Sequence, residues 1–455
     1  MYSGDVDNMD DSDVNSANEL VLSTFSANVP ATDVSNGGSN RVSAIFLIVN
    51  AALGAGLLNF PQAFDQAGGI ATAVVVQVVL LVWILGALVT LAHCSDETGA
   101  RTLQDILEGL CGTPGLIACC LCVALYCFGT CLTFLVIIGD QFDRVFSSLH
   151  GSDFCHYWYM NRIFTIVASS TVCILPFCYS RRIDFLKYVS YLGVGAVFYV
   201  VVLIVYQKFA GEFTPGPVKT SPTEWTDVFL VVPVICFGYQ CHVSVIPIYS
   251  CLHERTIFNF SICCGAAVFI CMLSYTLAGT FGYLTFGADV TSDILESYSG
   301  YHPSVLIGIT AIAIKTYTTY PILLFCGREA VNKIWCTFFY NSQADIAVKE
   351  PMRRAVIATT WFILTLLLAV LIPDMGIVID CLGSLAAIFI FVFPGICWMQ
   401  STLHKDPLIL LNKDRFYIFL SVLYILTGTF VFGVVLVQAI ERFSEKDQSP
   451  IRLCV

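Results

Sequence analysis

Charge is scarce in this chain. Asp, Glu, Lys and Arg make up 12% of its 455 residues, about half the roughly 25% of an average soluble domain. Hydrophobic residues reach 57% and the mean hydropathy is +0.79. A soluble globular domain is excluded, and with no basic cluster so is a nucleic-acid partner. No base precedes Arg41, whereas seven acids fall within the first forty residues. No basic-then-apolar leader opens the chain, so a cleavable secretory signal is not expected. Residues 1–42 read as a disordered acidic cytosolic tail, too poor in large apolar residues to form a core. No segment alternates apolar and polar residues as a barrel strand requires, which leaves helices as the way to satisfy backbone polar groups in lipid.

Cysteine, by contrast, is abundant at 21 residues. Most lie inside apolar runs such as "CCLCVALYCFGTC" (Cys119 to Cys131), where thiols behave as small hydrophobes. Cys119 and Cys122 form a C-x-x-C without the second ligand pair a metal site needs. Cys155 and Cys454 fall on the far side of the membrane and are free to pair, although no pattern demands it.

Runs of roughly 20 apolar residues suit single crossings. They predict eleven spans, at 44–66, 70–92, 115–138, 162–179, 189–209, 226–250, 259–283, 303–326, 355–373, 376–399 and 416–438. The fold class expected is therefore an all-α polytopic membrane protein. Its transmembrane domain covers 43–439 and a short extracytosolic tail covers 440–455. With the N-terminus in the cytosol, fourteen of the 22 Lys and Arg residues lie on the cytosolic side, seven lie opposite, and Lys315 sits within a span. The excess follows the positive-inside tendency. The N-x-S/T sequence at Asn259 then falls at the cytosolic mouth of span 7, where glycosylation cannot occur.

Two spans are interrupted. Span 1 reads "VNAALGAGLLNFPQAF", with Gly54, Gly56 and Pro61; span 6 reads "VVPVICFGYQCHVSVIP", with Pro233, Gly238 and Pro247 around Gln240 and His242. Glycine alone would suggest close helix packing. Interruptions at corresponding places of two five-span halves point instead to a transporter's midplane site. Unwound amides and the positive helix end there suit an anion, and bare carbonyls suit a cation. A zwitterion would set its carboxylate on the amides of Gly54, Ala55 and Gly56, and its ammonium on carbonyls near Phe237 and Gly238.

Four blocks, "NAALGAGLLNFP", "CFGYQCHVSVIP", "TTYPILLFCGR" and "LIPDMGIVIDCLGSLAAIFIFVFPG", resemble the amino acid/auxin permease group. Within it they resemble the sodium-coupled neutral amino acid transporters, most nearly the lysosomal glutamine-exporting kind. The likeness runs from about Ser43 to near Phe432. It implies the five-plus-five inverted-repeat fold with an eleventh helix, and secondary active transport of neutral L-amino acids by alternating access, glutamine favoured, asparagine and similar ones included. It further implies a lysosomal membrane, with the plasma membrane as the other compartment, and sodium or protons as coupling ion without any other cofactor.

The same resemblance implies a sodium-type site from Asn50, the Leu53 carbonyl, Thr318 and Thr319. Neutral oxygens suit a hard cation, although each threonine hydroxyl could equally bond back to its own helix. Lys315 departs from the family pattern, which keeps a small residue there. It precedes the two threonines by three and four positions and shares their face. It lies some 16 Å from either end of its span, at ~1.5 Å per residue. An ionisable residue at such depth is a functional hypothesis. Its ammonium replaces sodium and couples transport to protons, or pairs with Asp380 on span 10, or faces water in a vestibule. Asn59, Tyr239, Gln240 and Tyr320 are candidates to meet a glutamine side-chain amide. Phe237 and Tyr239 could gate the site, and His242 could carry a proton or simply pack.

Against an enzyme, the densest cluster of ligand-type residues is "AHCSDE", Ala92 to Glu97, too compact in sequence for tetrahedral metal geometry. The alternative function is an amino-acid sensor or transceptor that signals through its N-terminal tail to a cytosolic partner. A monomer is expected.

Overall fold

The computed structural model describes residues 39–150, 157–179, 186–210, 213–298, 302–339, 343–372, 374–404 and 412–445. The tail before residue 39, Cys155 and Cys454 lie outside them. The described chain is helical apart from one isolated β-bridge, Ser39 with Leu252.

The first span is two helices. α1 (Arg41–Ala52) starts where the Asn40 side chain accepts from the Arg41 amide at 2.7 Å. It stops because Gly54 is extended, at φ −117° and ψ −162°. A 3₁₀ turn, Ala55–Asn59, leads into α2 (Phe60–Gln66), with Pro61 in its first turn where a missing N–H costs nothing. The two halves are bent by 52°. α3 (Ile70–Thr98) crosses without interruption. α4 (Leu103–His150) kinks at Gly112, whose φ of 70° favours glycine, so its membrane portion follows Pro114. α5 (Arg162–Cys173) and α6 (Leu175–Cys178) stand where a single fourth span is predicted, split at Ile174 just ahead of Pro176. α7 (Leu186–Ala210) completes the first half.

The second half opens as the first does, with an interruption. A 3₁₀ segment, Trp225–Val231, runs into α8 (Val232–Gly238); three non-helical residues follow, and α9 (His242–Ser250) resumes. Then come α10 (Ile257–Phe286), the short α11 (Ile294–Ser297), α12 (Pro303–Phe339) and α13 (Gln343–Leu371). α14 (Met375–Ala387) passes through a π turn, Ile388–Val392, into α15 (Phe393–Leu403), and α16 (Asn412–Glu445) follows. Among the described residues nine helical spans are long and apolar enough to cross a membrane, and the bent α1–α2 pair makes a tenth. With α5–α6 in the fourth place, the order is two five-span halves plus a final helix.

The interrupted spans lie inside the bundle, screened from lipid by the rest. α10 packs on both α1 and α2, and α14 packs on α8. The α14–α8 approach depends on Gly383, where a Cβ would fall 2.4 Å from the Pro233 backbone. Phe60, Phe64, Tyr239, Tyr275 and Tyr320 are among the largest side chains fully removed from the surface.

Candidate functional site

The two breaks meet. A Cβ on Gly56 would lie 3.1 Å from the Phe237 ring and 3.4 Å from Gly238 Cα. A side chain at position 56 would force the second unwound segment back by a few tenths of an ångström. Gly54, Ala55, Gly56, Phe237, Gly238 and Tyr239 are thereby brought to one place.

α10 pins that place from behind. The Tyr275 hydroxyl lies 2.8 Å from the carbonyl oxygen of Ala52 and 2.9 Å from that of Gly238, one from each interrupted span. Its ring stacks on Phe60 at 4.3 Å between centroids, and Tyr239 meets it edge-on at 5.0 Å. Gln77 of α3 donates to the Tyr239 hydroxyl at 2.7 Å while its own carbonyl oxygen accepts from Thr276 at 3.1 Å. Sequence reasoning missed Tyr275 and Gln77. A tyrosine and a glutamine in apolar spans carry no signal of their own, and their meaning comes from what they face.

Lys315 reaches the break of the first span from α12. Its Nζ donates to the Leu53 carbonyl at 2.6 Å, just past the last helical turn of α1. Its stem passes α7, where a Cβ on Gly193 would come within 3.3 Å of Lys315 Cγ. The Asp380 pairing is not what occupies it. Asp380 Oδ2 instead accepts from Arg442 of α16 at 2.6 Å, and Arg442 also donates to Gln66 at 2.9 Å. Asp380 is therefore part of a brace between α14, α16 and α2.

The sodium-type set is only partly assembled. Asn50 sits in the last turn of α1, half-buried. The Thr318 hydroxyl donates to Ile314 and Lys315 carbonyls at 3.0 and 2.9 Å, and Thr319 to Lys315 at 2.8 Å, the local back-bonding always open to threonine in a helix. Their lone pairs stay available to a cation, but the Leu53 carbonyl already accepts from the Lys315 amine.

Three of the four amide-reading candidates already have partners, Tyr239 through Gln77. Asn59 donates to Ser292 of the α10–α11 loop at 3.0 Å and to Gln62 at 3.3 Å, so it secures the loop. The Tyr320 hydroxyl bonds Thr365 of α13 at 2.7 Å. Gln240 remains, with His242 close by in sequence. They are 8% and 0% exposed, and Gln240 Nε2 and both ring nitrogens of His242 have no hydrogen-bond partner among the described residues. Buried polar atoms are nearly always paired, so these three atoms beside a helix break stand out. In the "AHCSDE" segment, Asp96 accepts from Arg255 at 3.0 Å and from the Tyr249 hydroxyl at 2.5 Å, contacts that tie the end of α3 to α9 and the loop after it, while His93 stands 3.5 Å from Glu97 on the same helix.

The family profile described as transmembrane amino acid transporter protein matches residues 37–441. The chain belongs to that family. It is 40% identical over 408 residues to sodium-coupled neutral amino acid transporter 7 of Homo sapiens, covering 89% of this chain and 88% of that protein. The transporter of the same name from Danio rerio is 39% identical over 416 residues, with 90% and 89% covered. Solute carrier family 38 member 8 of Homo sapiens is 34% identical, with 89% and 94% covered. A crystal structure of MhsT in complex with L-phenylalanine superposes with a TM-score of 0.50 at 14% identity, covering 89% of this chain and 99% of that one. That likeness supports the inverted-repeat transporter fold. The chain is a multi-pass membrane protein of an amino-acid transporter family, which sets it apart from a membrane enzyme.

Proposed function

We propose that this protein is a secondary active transporter of neutral L-amino acids, glutamine foremost, that works by alternating access around the two helix breaks. The observation that carries the reading is their apposition through Gly56, Phe237 and Gly238. The substrate carboxylate would lie on the amides of residues 54–56 and its ammonium on carbonyls of the second break. Preference for a side-chain carboxamide follows from the unpaired atoms. Gln240 Nε2 is a donor, and a neutral imidazole offers one donor and one acceptor. A carboxamide presents the complementary acceptor and donors, whereas an aliphatic side chain would leave all three unsatisfied.

In this proposal the Lys315 ammonium holds the position that sodium takes in a sodium-coupled transporter, as two of the relatives above are named. A charged amine on the Leu53 carbonyl supplies the positive charge, so coupling passes to protons. The N-terminus faces the cytosol, as the distribution of Lys and Arg supports, and a lysosomal membrane follows the family likeness. The test is flux of radiolabelled glutamine into proteoliposomes of purified protein, with sodium and the pH gradient varied independently. Transport should persist without sodium and follow the proton gradient. Binding without flux would refute transport, and strict sodium dependence would refute the role of Lys315.

A second reading, a sensor that signals through its tail, is favoured by one contact. Ser39 donates to the Cys251 carbonyl at 2.6 Å and accepts from the His253 amide at 3.0 Å, fastening the tail's end to the segment after α9. Arg41 adds an ion pair with Glu254 at 3.0 Å. Motion of α9 would reach the tail by this route. Deleting residues 1–38 separates the readings: a transporter keeps its flux, and a sensor loses its output.

A further inference from the structure

We propose that Tyr275 is a positioning residue that couples the two breaks and lets the carrier return without substrate. The inference rests on the reading that the breaks grip an amino acid.

A phenol has one proton to donate. Tyr275 places that proton between two carbonyl oxygens, Ala52 at 2.8 Å and Gly238 at 2.9 Å, one from each half of the fold. The hydroxyl cannot turn away, since the fully buried ring is clamped by stacking on Phe60 and by the edge of Tyr239. At any instant one of the two carbonyls lacks a full partner. An ammonium brings three N–H donors, so a zwitterion at the breaks satisfies what the hydroxyl alone cannot.

The consequence concerns the transport cycle. Exchange of one amino acid for another needs only the loaded carrier to reorient. Net transport needs the unloaded carrier to reorient as well, and bare buried carbonyls oppose that step. Tyr275 is the donor that serves them once the ammonium has gone, and it holds Ala52 to Gly238 so that both spans move together.

Tyr275→Phe removes one oxygen and keeps the ring against Phe60. Two fluxes are compared in proteoliposomes: labelled glutamine entering against internal unlabelled glutamine, and labelled glutamine entering empty vesicles. Exchange should stay within about threefold of the native protein with a lower KM, while net uptake falls at least tenfold. The control is Gln77→Leu, which disturbs Tyr239 and leaves the carbonyl pair alone; it should lower both fluxes by a similar factor. Thermal unfolding in detergent adds a readout independent of flux, since the stabilisation by saturating glutamine should be larger in Tyr275→Phe than in the native protein.

Equal loss of exchange and net uptake in Tyr275→Phe would overturn the proposal, as would an unchanged ratio, the same split in Gln77→Leu, a smaller glutamine-dependent shift, or failure of the variant to fold. Absence of glutamine exchange and of any glutamine-dependent shift in the native protein is a different failure, which removes the underlying reading of the site and this inference with it.

Discussion

Replacing Lys315 by serine removes the ammonium from the Leu53 carbonyl and leaves a hydroxyl on the helix face shared with Thr318 and Thr319. The lost contact is a charge-assisted hydrogen bond of 2.6 Å in a buried setting. Bonds to charged groups contribute roughly 1.5–3 kcal/mol. Without a substitute, the unwound segment after α1 loses that stabilisation, and flux should fall by about one to two orders of magnitude, at about 1.4 kcal/mol per tenfold. The same change opens space between Gly193 and the Leu53 carbonyl, where a cation could take the place of the amine. A sodium ion bound there at a hundred times its dissociation constant would return about 2.7 kcal/mol, enough to offset most of the loss. The variant should therefore be nearly silent in choline buffer and recover in sodium, while the native protein is indifferent to that exchange. Glutamine flux in proteoliposomes, with the two cations swapped at constant ionic strength and pH, reads this directly. Sodium-insensitive flux in the variant would refute the idea that the ammonium stands where a metal ion can bind.

Gln240→Leu takes one unpaired donor from the site. Its cost should fall on glutamine and spare alanine, lowering the ratio of their kcat/KM values about tenfold, within the ~1–3 kcal/mol of a lost buried hydrogen-bond partner; equal losses for both substrates would count against carboxamide reading. Asp293, in the loop beyond α10, is fully buried and accepts from the Leu295 amide and from Gln141, each at 2.9 Å. Burial, helped by Glu296, pushes its carboxyl up to about 7. The native state then keeps a proton that the unfolded chain has lost between its ordinary value near ~4 and 7, so stability should decline as pH rises through that window. Tm measured against pH should show this decline in the native protein and flatten in Asp293→Asn; a slope unchanged by the substitution would show that another group carries it. Asp380→Asn leaves Arg442 without its carboxylate at the junction of α14 and α16. The pair is partly buried, so the loss should be about 1–3 kcal/mol, below the 3–5 of a fully buried pair. It should appear as a lower Tm with Lys315-dependent coupling unchanged; altered coupling would restore a link between the two residues.

The breaks were legible in the sequence because they are made by residue type. Gly54 and Gly56 with Pro61, and Gly238 between Pro233 and Pro247, are weak helix formers at matching places of the two halves, and the observed breaks fall at them. The proposed binding amides of residues 54–56 could be named from sequence because they belong to the break itself. Where a side chain crosses from one helix to another, periodicity gives its face but not its partner. Periodicity puts Lys315 on the helix face of Thr318 and Thr319, yet a carbonyl 262 positions away along the chain has no sequence signature, and Asp380 stood among the companions the sequence offered. Arg442, which takes that carboxylate, lies near the end of the last helix, and no rule of spacing connects the two. Tyr275 shows the limit most plainly. Its phenol matters because two carbonyls, each freed by a break in a different half of the fold, converge on it. The unwinding that sequence could foresee thus creates donor requirements that only the packed bundle answers, with Tyr275 and Lys315 each attending to carbonyls that a continuous helix would have satisfied by itself.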